Sequence, residues 1–219
     1  MLKLYGFPVS NYYNMVKHAL LEKGLPFEAV PFYPDQSPES LAISPRGKIP
    51  VLGVEQGYVN ETGVILQYLE DAQAGPALLP KTPFERAQVL ALAKEIELYI
   101  ELPARACFGE AFFGMSVPEA IKEKSRVELL AGIASLGRHG KFAPYVAGET
   151  LSVADLYFLY SVSLACAVGK KLFDLDLLAD LPAARALLER LEQTPHAKRI
   201  AADKDAAMPQ FLAMIASRK

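Results

Sequence analysis

Two short segments of the sequence place hydroxyl or carboxylate side chains at the start of a predicted helix. Ser10 precedes the first predicted helix, and the pair Glu61 and Thr62 opens a later one. The first turn of a helix has N–H groups without helical partners and carries partial positive charge, so it favours an anion. At Glu61-Thr62 the adjacent carboxylate, hydroxyl and N–H groups suit the ammonium and carboxylate of an amino-acid end group. Both segments also fit ordinary helix caps, which use the same side chains.

A third segment of interest lies between these two. The sequence Arg46-Gly47-Lys48-Ile49-Pro50-Val51-Leu52 predicts a turn and then a proline at the start of a short apolar strand. Proline donates no hydrogen bond to a sheet, so its expected role there is to shape the chain, and a cis peptide bond is one such shape. We expect this corner to present open backbone groups to a small anionic ligand.

The elements that must position these segments form a recognisable order. Strands are predicted over 2–5, 27–32, 49–54 and 58–59, and helices over 15–23 and 62–72, with a single helical turn over 39–43. A βαβ unit followed by a ββα unit predicts an α/β domain of the thioredoxin-like type, although no Cys-x-x-Cys follows the first strand.

A Gly- and Pro-rich stretch predicts a domain boundary after this unit. We expect a first domain over 1–75, a linker over 76–82 and an all-helical domain over 83–219. Predicted helices cover 84–114, with a bend near Pro103, and 117–142, 152–168 and 182–193, with a short element over 175–178 and a weakly patterned end over 201–219. Ser152 and Asp155 form a capping-box pattern at the start of the third of these helices, and its role is structural.

Composition excludes several classes of protein. The chain is 52% apolar and 22% charged, as in ordinary soluble proteins, and its formal charge of −2 argues against a general nucleic-acid binder. No uninterrupted apolar run reaches the ~18 residues of a membrane helix, and no secretory signal opens the chain. Cys107 and Cys166 are far apart and, like the three histidines, have no metal-ligand spacing. We therefore expect a cytoplasmic protein with free thiols, without a metal, and without a nucleic-acid or membrane partner.

The order and spacing of several segments resemble the cytosolic glutathione S-transferases, of the bacterial serine type, over essentially the whole chain. The matching segments are Leu4-Tyr5 before a serine-bearing loop, Gly24-Leu25-Pro26-Phe27-Glu28, Ser44-Pro45-Arg46-Gly47-Lys48-Ile49-Pro50-Val51-Leu52, Glu61-Thr62 at the start of a helix that ends in Tyr68-Leu69-Glu70, and Ser152-Val153-Ala154-Asp155.

The resemblance implies a glutathione site in the first domain. Pro50 would be a cis-proline, and the backbone of Ile49 would pair with the cysteinyl part of glutathione. Glu61 and Thr62 would hold the γ-glutamyl amino and carboxylate groups, and Lys48 would lie near the glycyl carboxylate.

The resemblance also implies that Ser10 donates a hydrogen bond to the sulfur of glutathione. The residues after Ser10 depart from those of serine-type relatives, which leaves Asn11, Tyr12 and Tyr13 as alternative partners of the sulfur. Tyr5 lies within an apolar strand and is interpreted as structural. The loop contains no cysteine, which disfavours mixed-disulfide chemistry.

The implied activity is addition of the glutathione thiolate to a small hydrophobic electrophile, with glutathione as co-substrate. The electrophile-site candidates are Asn11 and Tyr12 near the sulfur, and Tyr99, Phe108 and Phe112 in the helical domain, although aromatic residues on such helices are more often core. The family also implies a homodimer. The alternatives are a glutathione-dependent isomerase or peroxidase, and a non-catalytic binding or regulatory protein of the same fold.

Overall fold

A four-stranded sheet forms in the computed structural model of the protein, which describes residues 1–72 and 74–217. The strands are β1 (Leu2–Gly6), β2 (Phe27–Pro31), β3 (Val51–Val54) and β4 (Gly57–Asn60), in the order β2-β1-β3-β4. β1 runs parallel to β2 and antiparallel to β3, and β3 pairs with β4 as an antiparallel hairpin. β3 begins two residues later than predicted because Pro50 has no N–H to donate to a sheet.

Three helices accompany these strands: α1 (Asn11–Glu22), α2 (Pro38–Ile43) and α3 (Thr62–Ala72). α1 and α3 pack against each other and against the sheet. α3 has the predicted bounds, whereas α1 starts four residues before the predicted helix because Ser10 caps it. The succession βαβ and then ββα confirms the predicted thioredoxin-like arrangement.

A second group of helices follows along the chain. They are α4 (Pro83–Ile96), α5 (Leu102–Arg105), α6 (Phe108–Phe113), α7 (Glu119–His139), α8 (Val153–Tyr157), α9 (Ser163–Phe173) and α10 (Pro182–Glu192). Two π-helical segments, Glu97–Glu101 and Phe158–Val162, join α4 to α5 and α8 to α9. The first π segment ends just before Pro103, at the predicted bend, because a proline cannot donate the next helical hydrogen bond. The predicted short element over 175–178 is a turn rather than a helix.

The capping box predicted at the start of α8 is present. Both carboxylate oxygens of Asp155 accept backbone hydrogen bonds, from Val146 N at 2.8 Å and from Ser152 N at 2.9 Å. The Ser152 hydroxyl donates to the same carboxylate at 2.9 Å. This buried carboxylate therefore fixes both the start of the helix and the loop before it.

The continuous helix from Val153 to Phe173 could span a membrane by length and composition alone. A core helix of a globular protein passes the same test, and half of the apolar window is buried inside the protein. Phe158 and Val162 in this helix have no exposed surface. We therefore assign the helix to the core of the helical unit.

The last helix, α11 (Pro195–Ala216), lies in a stretch where the sequence shows only a weak pattern. The contacts within the chain define two compact units, one made of Met1–Ala77 and the chain from Thr194 onward, the other of Leu78–Gln193. The division expected from sequence places 83–219 in one helical domain. In the structure α11 packs against α1 and belongs to the first unit.

Candidate active site

The pairing of the strands brings the predicted segments to one end of the sheet. Val51 pairs with Tyr5 on one side and with Asn60 on the other. Pro50, which precedes Val51, and Glu61, which follows Asn60, therefore lie close to each other and to the loop that follows β1. The three segments singled out by their chemistry meet at this end of the sheet.

Ser10 ends the β1–α1 loop and is the N-cap of α1. Its Oγ accepts a hydrogen bond from Tyr13 N at 3.3 Å, and its own N–H donates to Phe7 O at 3.1 Å. A serine hydroxyl has one hydrogen to donate in addition to its acceptor positions. That hydrogen has no acceptor among the described residues, so the hydroxyl can donate to an anion in front of the helix.

Gly6 connects the Ser10 segment with the proline corner. A Cβ placed on Gly6 would lie 2.5 Å from Cδ2 of Tyr13 and 3.3 Å from Cδ1 of Ile49, and Gly6 has a φ of +149°. Only glycine suits this conformation and this close approach. The ring of Tyr13 and the side chain of Ile49 thus approach the same backbone position.

The Ile49–Pro50 peptide bond is cis, which confirms the expectation for Pro50. The loop before it is held by Ser44, whose hydroxyl accepts from Lys48 N at 2.8 Å and donates to Lys48 O at 2.6 Å. Ser44 is buried, whereas the Lys48 side chain is exposed and has no ion-pair partner among the described residues. The role of Ser44 is not predictable from its type, since its one local signal is that of a hydroxyl residue beside a glycine turn.

Glu61 and Thr62 occupy the start of α3 as predicted. Glu61 has a φ of 68°, in the left-handed region that a residue with a side chain rarely adopts, and its carboxylate is exposed. Thr62 is buried. Within the described part of the chain, no side chain caps the first N–H groups of α3 and no cation pairs with Glu61. The site can therefore accept both an ammonium and a carboxylate.

The tyrosines near Ser10 differ in their surroundings. Tyr13 is only 2% exposed, and burial together with the negative charge of Asp203 raises its pKa to about 12. Such a buried, weakly acidic phenol is a poor partner for a ligand sulfur. Tyr5 packs edge-on against Tyr58, and burial raises its pKa, which agrees with a structural role. Tyr12 is half-buried in the first turn of α1, next to the buried Asn11.

The electrophile-site candidates of the helical unit form one pair and one separate residue. The rings of Phe108 and Phe112 pack edge to face at 5.2 Å, with Arg105 over the first ring and Lys171 over the second. Tyr99 lies in the π-helical segment, is 53% exposed, and contacts neither ring among the described residues. The structure thus brings Phe108 and Phe112 together but not Tyr99.

An aromatic cluster that the sequence analysis missed lies beside the β1–α1 loop. The ring of Phe7 stacks on Tyr33 at 4.8 Å and contacts Phe211 of α11 at 5.2 Å. Residues so far apart in sequence give no local signal of this contact.

The chain is similar to known proteins over its full length. A family model described as the N-terminal domain of glutathione S-transferases matches residues 4–77. A glutathione S-transferase of Pseudomonas putida is 64% identical over 219 residues, which is 100% of both chains. Glutathione S-transferase 2 of Saccharomyces cerevisiae is 26% identical over 90% of this chain and 88% of its own.

The fold is also similar to solved structures. The crystal structure of Gtt2 from Saccharomyces cerevisiae superposes with a TM-score of 0.75 at 26% identity, and the match covers 90% of this chain and 99% of that one. The full-length similarity to the Pseudomonas protein, together with the match to the N-terminal domain, confirms the resemblance inferred from the sequence motifs. The chain belongs to the glutathione S-transferase family.

Proposed function

We propose that the protein is a serine-type glutathione transferase whose site lies where Ser10, Pro50 and Glu61 converge. The observation that carries this proposal is the Ser10 hydroxyl. Its acceptor side receives the Tyr13 N–H, and its hydrogen remains available at the N-terminus of α1. A hydroxyl held in this way donates to an anionic sulfur without rearrangement.

The rest of the proposed site offers partners for both ends of glutathione and for its central cysteinyl residue. The ammonium of the γ-glutamyl residue suits the exposed carboxylate of Glu61, and its carboxylate suits Thr62 and the N–H groups of α3. The Ile49 backbone lies outside the β3 ladder and can pair with the cysteinyl residue. Lys48 offers a positive charge for the glycyl carboxylate.

Glutathione supplies a thiol, and its deprotonated form is the nucleophile. Lowering a thiol pKa from ~8.5 by about two units requires about 2.7 kcal/mol of preference for the thiolate. A hydrogen bond to a charged group contributes about 1.5 to 3 kcal/mol, and a helix N-terminus about 0.3 to 1 kcal/mol. Ser10 and the start of α1 together match the requirement.

The electrophile is proposed to be small and hydrophobic. Asn11 and Tyr12 adjoin Ser10 in the first turn of α1. We retain Tyr99, Phe108 and Phe112 as candidates for the apolar wall of the electrophile site. The contact between Phe108 and Phe112 supports these two rings acting as one surface.

We also propose that the protein is a cytoplasmic homodimer. Both cysteines are free, which fits a reducing compartment. Exposed apolar side chains occur on both units, for example Val64 in the first and Val127 in the second, and such side chains suit burial against a partner chain. Sedimentation at micromolar concentration tests this point, since the mass of a single chain would contradict it.

The test of the activity follows the thiol of bound glutathione. Calorimetry measures binding, and thiolate absorbance against pH measures the thiol pKa in wild type and in Ser10→Ala. We expect Ser10→Ala to bind glutathione but to raise the bound thiol pKa by about one to two units, with a loss of about 10- to 100-fold in kcat/KM at neutral pH.

Tyr12→Phe and Asn11→Ala serve as comparisons and should leave the thiol pKa unchanged. A shift in one of them, with none in Ser10→Ala, assigns the sulfur to that residue instead. Absence of glutathione binding in wild type would overturn the enzyme proposal. Binding with an unshifted thiol pKa would leave a binding protein of this fold.

A further inference from the structure

The C-terminal helix α11 contacts the β1–α1 loop at one place and α1 at another. Near its end, Phe211 contacts the ring of Phe7, whose carbonyl accepts the Ser10 N–H. Two turns earlier, Asp203 accepts a hydrogen bond from Lys17 of α1 at 2.5 Å. These contacts join residues at opposite ends of the chain.

The ion pair is set in the interface between α1 and α11. The Lys17 side chain is 9% exposed and the Asp203 side chain 43% exposed. A nearly buried ammonium is strongly unfavourable without a partner, so Asp203 fixes the position of α11 on α1. Lys17 and Tyr13 are four residues apart and share one face of α1. Asp203 acts on both, since its charge also contributes to the raised pKa of Tyr13.

Tyr13 transmits this position to Ser10. Its backbone N–H donates to Ser10 Oγ, and its ring fills the space against Gly6 next to Ile49. A shift of the first turn of α1 therefore changes both the orientation of the Ser10 hydroxyl and the packing beside the proline corner.

We propose that Asp203 and Phe211 are positioning residues for the reaction, which hold the first turn of α1 and the β1–α1 loop so that the Ser10 hydroxyl faces the sulfur. The inference rests on the proposed function in assigning Ser10 to the sulfur. Neither residue is proposed to touch the reacting atoms.

The first test uses the ligand-free protein and needs no activity. Hydrogen exchange is measured for the amides of Ser10, Tyr13 and Asn14, which all bond within this segment. We expect Asp203→Asn to speed their exchange about tenfold while the amides of β1 and β3 keep wild-type rates, because the opening is local. Asp203→Glu, which keeps the charge, should restore most of the protection.

Asp205→Asn is the matched control on the same helix. The Asp205 side chain is 74% exposed, and its one ion-pair partner among the described residues is Lys204, at 3.7 Å, so this variant should exchange like wild type. Phe211→Leu removes the aromatic contact but keeps the ion pair, and it should loosen the same amides. If Asp203→Asn does not fold, Phe211→Leu alone tests the proposed positioning role.

The second test measures catalysis in the folded variants. Because the residues proposed to clamp glutathione are unchanged, we expect KM for glutathione to stay within about twofold of wild type while kcat falls about tenfold and the bound thiol pKa rises. A purely structural role would lower the melting temperature without moving the thiol pKa.

The outcomes separate this inference from the proposed function. Unchanged exchange in both Asp203→Asn and Phe211→Leu overturns the positioning role. Faster exchange with wild-type kcat and thiol pKa overturns it as well, since the loop would then be loosened without effect on the sulfur. If wild type binds no glutathione, the proposed function fails, and with it the positioning of Ser10 for the reaction, whatever the exchange rates show.

Discussion

Gly6 lies between two segments that the proposed site brings together, the first turn of α1 and the cis-proline corner, and both contact it. Its φ of +149° disfavours other residues, but the space around it matters more. The nearest atom to an added Cβ belongs to the ring of Tyr13, which is 2% exposed and cannot move aside freely. Gly57 has nearly the same φ, +143°, and no atom within 4 Å of the corresponding Cβ. Comparison of Gly6 with Gly57 therefore distinguishes the free-energy cost of the backbone conformation from that of a steric clash.

We expect Gly6→Ala to lower the free energy of unfolding by about 3 kcal/mol, because overpacking adds to the backbone cost. Gly57→Ala should lose about 1 kcal/mol from the backbone alone. Urea unfolding measures both, and calorimetry should show weaker glutathione binding only in Gly6→Ala. Equal losses in the two variants would show that Tyr13 yields to the added methyl group.

Among the elements, α8 depends on a single carboxylate. Asp155 is 1% exposed and accepts hydrogen bonds on both oxygens. An asparagine has only one oxygen that accepts, so Asp155→Asn must leave a buried donor without its partner. The backbone N–H groups of Val146 and Ser152 therefore cannot both keep their acceptor.

We expect Asp155→Asn to lower the free energy of unfolding by about 3 kcal/mol, since hydrogen bonds to a charged group are lost in a buried place. The control is Asp180→Asn at an exposed turn residue, which should change stability by less than about 0.5 kcal/mol. Chemical denaturation of both variants gives the comparison. A loss of less than about 1 kcal/mol in Asp155→Asn would mean that water replaces the missing acceptor.

The elements that the sequence predicted well are those with a local signal. α3 has a regular apolar stripe, and its bounds, Thr62–Ala72, match the prediction. The first turn of α1 was missed because Asn11-Tyr12-Tyr13-Asn14 carries no apolar stripe, and its helical conformation depends on the Ser10 cap. α11 was not predicted because Pro195–Ala216 carries only a weak apolar stripe, and its contact with α1 includes the charged pair of Lys17 and Asp203.

In the candidate site, too, some residues have a local sequence signal and others do not. The proline corner and the Glu61-Thr62 turn are contiguous in sequence, so their residue types alone indicated an anion site. The contacts of Ser44 and Gly6 depend on how the loops close, and the contact of Phe211 with Phe7 depends on the return of the C-terminal helix to the first unit. Such contacts form only in the folded chain and leave no periodic signal.

At the scale of the whole molecule, the covering of α1 by α11 links stability to alkaline pH through Tyr13. Burial and the charge of Asp203 raise the Tyr13 pKa from 10.0 to about 12. A folded-state pKa above the unfolded value favours the folded protein below pH ~10, and this contribution is lost as pH rises from ~10 through ~12, where the unfolded chain ionises first. The opposite would hold for an acid whose pKa falls on folding.

We therefore expect Tyr13→Phe to remove part of the alkaline destabilisation. Between pH 8 and pH 11 the wild-type protein should lose about 1.4 kcal/mol more than Tyr13→Phe, the amount that one unit of pKa difference contributes. Tyr99→Phe is the control, because that residue is 53% exposed and the stability loss of this variant should follow wild type. Urea unfolding at the two pH values gives the differences. Parallel losses in wild type and Tyr13→Phe would show that the phenol ionises without opening the α1–α11 contact, and that α11 does not seal α1 from solvent.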